Sequence, residues 1–303
     1  MIFLKILNTV LALITAPLLL GIINRTKAFF AGRNGQPLLQ PYYDIWKLLN
    51  KGSVYSIATS RIFRIGPVVG FSVVLIAAAI VPFGGLPVLL DFQGDLILFA
   101  YLFGLSRFFT VLMAMDTASS FEGMGASREV TFSALTEPAL LIGLAAIAKY
   151  TGYVSLAQIF SSINFDAWLN AAPAFILIGF AFLIVFLSEN SRIPVDDPNT
   201  HLELTMIHEV MILDHSGPDL AIILYSAAMK MWLLGAILTG IVIPVHSDNV
   251  FLNVSAALLF MLLLAVLTGI IESSMARLRL LHVPQLLIGA ATLSVLALIL
   301  ILR

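Results

Sequence analysis

A succession of long apolar runs limits how this chain can fold more than any other feature. Crossing a hydrocarbon core of ~30 Å takes roughly 20 mainly apolar residues in a helix, and segments at about 2–24, 65–83, 95–115, 130–149, 172–188, 219–244, 251–271 and 284–302 meet that need. Backbone groups in lipid must find hydrogen-bond partners within the protein, and no barrel-like alternation of apolar and polar residues runs through the chain, so helices are the remaining solution. The expected fold is an all-α polytopic membrane protein. It is a bundle of about eight transmembrane helices with long cytoplasmic loops, organised as a single transmembrane domain over 1–303. Composition points the same way: 60% of residues are hydrophobic and 11% charged, too little polar surface for a soluble domain. The first run has one early lysine, Lys5, and no small-residue cleavage site before the basic stretch, so it reads as a retained helix rather than a leader.

The connecting segments differ in charge. Those at about 25–64, 116–129, 189–218 and 272–283 are long and polar, whereas those at about 84–94, 150–171 and 245–250 carry almost no basic residue. Arg25, Lys27, Arg33, Lys47, Lys51, Arg61 and Arg64 crowd the first, with Arg128, Arg192, Arg277 and Arg279 in the other basic ones. The positive-inside rule makes these odd-numbered loops cytoplasmic and both termini extracytoplasmic. A net charge of −1 offers no field for nucleic acid. The absence of cysteine excludes disulfides, thiolate metal sites, iron–sulfur ligation and cysteine nucleophiles, so a redox centre has to lie on a partner.

Within the first loop Tyr42, Ile45, Trp46 and Leu49 fall at helical spacing, which predicts a short amphipathic helix at the membrane interface. The alternative is a basic rim that only sets topology. The second basic loop and the helix after it hold Asp116, Glu122, Arg128, Glu129 and then Glu137, with Pro138 next to it. Glu137 and Lys230 both sit inside apolar runs, with Arg107 a further candidate partner. Ionisable groups at that depth are costly and face a bundle interior, a partner or water. They serve either as an ion pair between helices or as part of a proton relay. The third basic loop holds Glu189, Arg192, Asp196, Asp197, His201, Glu203, His208 and Glu209. Asp197 before Pro198 reads as a helix start that would put His201 and His208 on one face. The run of acids suits either a solvated face or a hydrated acidic channel. The zinc pattern H-E-x-x-H is missing, because Ile212 stands four residues after His208. Neither a phosphate-binding loop nor a nucleophile elbow is present, so the sequence assigns no catalytic residue and no metal ligand.

Several patches together resemble one family: Gly32 to Leu49, Ser106-Arg107-Phe108-Phe109, Asp116-Thr117, Gly125 to Glu129, Glu137-Pro138, Glu189 to Glu203, Ser216-Gly217, Met229-Lys230 and Glu272 to Arg279. The family is the membrane-anchor subunit shared by respiratory complex I (its subunit 1) and the membrane-bound group 4 nickel–iron hydrogenases, and the hydrogenase branch, of formate hydrogenlyase and hydrogenase-4 type, is the nearer. The resemblance implies an energy-coupling subunit of an oxidoreductase complex in the cytoplasmic (inner) membrane. That subunit docks hydrogenase-like large and small subunits and iron–sulfur proteins, sits beside antiporter-like membrane subunits, and links electron transfer to H⁺ or Na⁺ movement. Nickel–iron and iron–sulfur centres are expected on those partners and no cofactor in this chain. The implied ion-pathway candidates are Glu137, Glu189, Asp196, Asp197, His201, Glu203, Glu209 and Lys230. The docking candidates are Arg25, Arg33, Gln40, Asp44, Lys47, Asp116, Arg128, Arg192, Arg277 and Arg279. Two departures stand out. Ile23-Asn24-Arg25 replaces a Glu-Arg pair of the complex I branch, and Asn199 and His201 stand where relatives carry two further acids. The alternatives are a quinone-tunnel subunit and a purely structural anchor.

Overall fold

The computed structural model describes residues 2–197, 206–244, 247 and 249–303. Eleven α-helices occur among them: α1 (Ile2–Phe30), α2 (Gln40–Leu49), α3 (Arg61–Ile80), α4 (Asp95–Asp116), α5 (Ser120–Thr151), α6 (Leu156–Ser162), α7 (Phe165–Asn170), α8 (Ala172–Glu189), α9 (Gly217–Val242), α10 (Val250–Ser274) and α11 (Val283–Leu302). The expected eight spans are present: α1, α3, α4, α5, α8, α9, α10 and α11 are long and apolar enough to cross a membrane. No strand occurs among the described residues.

Helix α9 is the axis of the bundle. Nearly every residue from Ala228 to Thr239 is buried, with Trp232 fully enclosed, because α1, α2, α3, α8 and α10 all pack on it. A helix that is apolar on every face is stable only inside such a ring. Helix α11 closes the other side against α5 and α8, and α3 pairs with α4. The outer faces remain apolar, as Phe251, Leu259 and Leu263 of α10 illustrate; on a membrane protein these face lipid or a neighbouring subunit.

The first basic loop does contain an amphipathic helix. Helix α2 turns Tyr42 and Ile45 inward and leaves Tyr43, Trp46 and Leu49 exposed. The Tyr42 hydroxyl donates to the Ile14 carbonyl, tying α2 to α1.

Two local expectations fail. Residues 120–129, read as loop, are the first turns of α5, which runs for 32 residues. The Glu122 carboxylate lies in that first turn, where the helix dipole favours a negative charge, and it accepts the Asp214 amide at 3.2 Å. Gly125 keeps the helix surface flat: a Cβ there would stand 2.3 Å from Val210 Cγ1. The second failure concerns the far end of the helix expected from Asp197, which was to carry His208; residues 198–205 lie outside the described residues. Residues 206–208 are not helical, and only a 3-10 turn follows at Glu209–Ile212. Asp196 is the cause. Its Oδ2 accepts the amides of Ile207 at 3.1 Å and His208 at 3.3 Å, which turns the returning segment back toward Asp196. The candidates His201 and Glu203, with Asn199, lie outside the described residues.

Candidate functional site: buried ion pairs beside a cavity

Arg107 projects from the middle of α4 into the bundle, and its guanidinium reaches three carboxylates. Nη2 is 2.6 Å from Glu189 Oε1, Nη1 pairs with Glu137 Oε1, and Nε lies 3.6 Å from Glu129 Oε1. Lys230 of α9 approaches the other oxygen of Glu189 at 2.7 Å. Glu189, at the C-terminal end of α8, is therefore held between two cations, one on each oxygen. Glu129, Ser133 and Glu137 follow one another at four-residue steps along one flank of α5, and the Ser133 hydroxyl lies 3.4 Å from Glu129 Oε1. Three carboxylates face two cations in this group, leaving one negative charge. The Glu189 side chain is 7% exposed and that of Glu137 46%. One end of the group is thus enclosed and the other reaches the outer surface of α5.

A second group fastens the loop after α8. Glu272 of α10 receives Lys27 of α1 at 2.7 Å and Arg192 at 3.3 Å. Asp196 Oδ1 pairs with Arg277 Nη2 at 2.9 Å, and the Leu278 amide donates to the Pro194 carbonyl at 2.9 Å. Arg128 donates to the Met206 carbonyl at 3.0 Å, securing the returning segment to α5. Burial pushes the Asp196 carboxyl above its ordinary range, with Arg277 and the loop amides pulling the other way.

A cavity of about 430 Å³ adjoins both groups. Arg107, Glu129, Glu189 and Lys230 line it from the bundle group, Arg192 and Asp196 from the loop group, and His208 and Glu209 complete the polar end. Much of the remaining lining is apolar, including Leu20, Ile45, Val74 and Leu224. At ~30 Å³ per liquid water such a volume holds roughly a dozen molecules. Ionised groups bordering it can keep their charge and exchange protons with that water.

The structure thus brings together Glu137, Glu189 and Lys230, and sets Asp196 and Glu209 on the wall of the same cavity. Lys230 pairs with Glu189, and Arg107 connects Glu189 to Glu137. Asp197 donates its amide to Asp196 Oδ1 at 2.9 Å. Among the docking candidates, Arg25, Arg33, Asp44, Lys47 and Arg279 are exposed, and Gln40 donates to Asp44 at 2.8 Å. Asp116 accepts the Ser60 amide, while Arg192 and Arg277 hold acids inside the chain. Sequence reasoning gave no site role to Lys27, Glu129 or Glu272, which stand at the edges of apolar runs where a charge looks ordinary. It also treated His208 only as a face residue of a helix, and His208 itself is not helical. Among the described residues no group of three or more His, Asp or Glu side chains could hold a metal ion.

Eight spanning helices enclosing an ion-pair network define a polytopic membrane subunit with polar machinery inside its bundle. The NADH dehydrogenase family model matches residues 4–302, and the chain belongs to that family. It is 30% identical over 277 residues to formate hydrogenlyase subunit 4 of Escherichia coli (strain K12), covering 89% of each chain. It is 30% identical over 246 residues to hydrogenase-4 component C of the same organism, covering 78% of this chain and 74% of the relative. An NADH-quinone oxidoreductase subunit of Verminephrobacter eiseniae is 27% identical over 210 residues, covering 65% of this chain and 56% of the relative. In three dimensions the chain is similar to one in the membrane-bound sulfane sulfur reductase, an archaeal respiratory membrane complex. The TM-score is 0.82 at 19% identity, covering 98% of this chain and 99% of that one.

Proposed function

We propose that this chain is the membrane-anchor and energy-coupling subunit of a group 4 hydrogenase-type redox complex in the cytoplasmic membrane. One observation carries the reading: Glu189 lies between Arg107 and Lys230 at the end of α8, on the wall of a cavity that the basic loops border. A charge change near those loops therefore acts at short range on an ion-pair group that continues to Glu137 at the surface of α5. The kinship with formate hydrogenlyase subunit 4 and hydrogenase-4 component C supports the choice of complex. Hydrogenase-like large and small subunits with iron–sulfur proteins dock on the cytoplasmic side, where Arg25, Arg33, Lys47 and Arg279 are exposed. They carry the nickel–iron and iron–sulfur centres. Both termini are extracytoplasmic, in accord with the positive-inside rule. An antiporter-like membrane subunit covers the α4–α5 flank, because a half-exposed Glu137 carboxylate facing lipid would be costly. The cavity's apolar lining gives a quinone-binding reading some support, but Asn24, which also lines it, stands where the complex I branch carries an acid.

The test uses the whole complex in proteoliposomes, with Glu137→Gln and Lys230→Met. Assembly and redox turnover are expected to persist, while H⁺ or Na⁺ moved per turnover falls at least severalfold. Unchanged translocation in both variants would reduce the cluster to a structural brace.

A further inference from the structure

His208 is a titratable side chain with no assigned task, and its setting gives it one. It is partly buried and lines the cavity between the two ion-pair groups. Asp196 of the loop group accepts its backbone amide at 3.3 Å, so that contact fixes the residue's position. The charged groups that bear on the imidazole are Glu129 of α5, Glu189 at the end of α8, Lys230 of α9 and Asp196 of the loop. Within each group the cations and acids are already engaged with one another, Arg107 and Lys230 on Glu189, Arg277 on Asp196.

We propose that His208 is the proton-relaying residue that joins the Asp196 end of the cavity to the Glu129–Glu189–Lys230 end. The inference rests on the coupling role proposed above and names the residue by which protons pass between the two groups. A neutral imidazole accepts a proton at one ring nitrogen and releases another from the second nitrogen, so it carries protons in either direction and ends each passage neutral after its tautomer resets. A carboxylate in the same place would add a fourth negative charge beside Glu129, Glu137 and Glu189. A lysine would add a permanent positive charge beside Lys230. Burial lowers the affinity of His208 for a proton, with the nearby carboxylates opposing that trend. The residue therefore rests neutral and holds a proton only in transit. Its neutrality also explains how it sits at a junction of two charged groups without displacing an ion pair in either.

The experiment uses the assembled complex in proteoliposomes, with His208→Gln, His208→Ala and, in parallel, Glu137→Gln. In His208→Gln the amide keeps hydrogen-bonding capacity but does not exchange protons at neutral pH. Protons moved per turnover are expected to fall about tenfold while subunit composition stays intact. The cavity has room for a small molecule, so added imidazole is expected to restore translocation in His208→Ala, whereas pyrazole, of similar shape but far weaker basicity, is not. A purely structural role would give no such selectivity. If Glu137→Gln loses translocation while both His208 variants keep it, the relay assignment is wrong and the coupling role stands. If all three keep it, the coupling role itself falls. If His208→Ala loses translocation and neither heterocycle restores it, His208 supports the fold and the relay is overturned.

Discussion

The two ion-pair groups are built from the same residue types and lie on one cavity, yet they balance differently. In the loop group Lys27, Arg192 and Arg277 face Glu272 and Asp196, so each acid has at least one dedicated cation and one positive charge is left over. Its members come from α1, α10 and the two loops that follow α8 and α10, so pairing them fastens distant parts of the chain. In the bundle group Arg107 is divided among three carboxylates, and it reaches Glu129 only at 3.6 Å. An acid with a full-time partner is held in one place, whereas one that shares a cation is released when that cation moves to another acid. The loop group is a fastening. A guanidinium shared among three acids can change which of them it holds, and the coupling role proposed above requires a change of that kind.

The comparison breaks most readily at Glu272. Its side chain is fully enclosed and holds both Arg192 and Lys27. Glu272→Gln leaves the buried Arg192 guanidinium without a counter-charge, and removing one partner of a buried pair costs about 3–5 kcal/mol. The thermal midpoint of the reconstituted protein is expected to fall, and the 190–197 segment to become open to proteolysis. If Glu272→Gln melts and digests like the parent, the loop group is not a fastening.

A smaller effect belongs to His215, at the end of the segment that Asp196 turns back. Its ring stacks on Phe63 at 3.8 Å, and neither ring nitrogen has a partner among the described residues. Burial pushes its pKa down to about 4, with Asp219 and Asp214 opposing. The sign follows directly. The folded state keeps the ring neutral, whereas the opened state takes up a proton below about 6.5. Stability of this segment is thus fully present above that pH and is lost as pH falls toward about 4, by at most about 3 kcal/mol. The Val54 amide, which donates to Ser216 Oγ at 3.0 Å, reports the opening. Its hydrogen-exchange protection, corrected for intrinsic rates, is expected to decline over that range in the parent and to stay flat in His215→Phe. An equal decline in both would mean that the segment's pH response comes from another group.

The difference between the two groups also governs what the sequence makes legible. Spans are readable because a run of roughly 20 apolar residues has one physical explanation. Glu137 and Lys230 stand out as charges within such runs, and Arg107 could be named with them for the same reason. Lys27, Glu129 and Glu272 carry no such signal, since a charge at the edge of an apolar run is usually solvated. Only packing reveals that Glu272 is enclosed by α1 and the loop after α8. The 197–208 segment misled for a different reason. Asp197-Pro198 is a sound local helix signal, but it does not extend to 206–208, where Asp196 holds the amides of Ile207 and His208 in a non-helical turn. Residues 120–129 misled in the opposite direction. Their polarity and two glycines read as loop, yet a polar helix that extends beyond the apolar span, with Gly125 serving as a seat for Val210, satisfies the same composition.

The smallest of the expected effects is the most discriminating, because it leaves every charge in place. Arg107→Lys keeps the positive charge in the bundle group but replaces a planar fork, able to meet Glu129, Glu137 and Glu189 from separate nitrogens, with a single ammonium. A lysine reaching Glu189 has to give up Glu137, the member at the surface of α5. Losing a charge-assisted hydrogen bond of this kind costs roughly 1–3 kcal/mol, less than stranding Arg192, so the complex is expected to assemble and melt close to the parent. Translocation per turnover is expected to drop because Glu137 is cut off from Glu189. Redox turnover, which the proposed function assigns to other subunits, is expected to stay near normal. The matched change in the fastening group, Arg277→Lys, retains a one-to-one pair with Asp196 and is expected to leave translocation unchanged. If the two substitutions act alike, sharing one cation among three acids has no consequence, and the contrast between the groups is one of geometry alone.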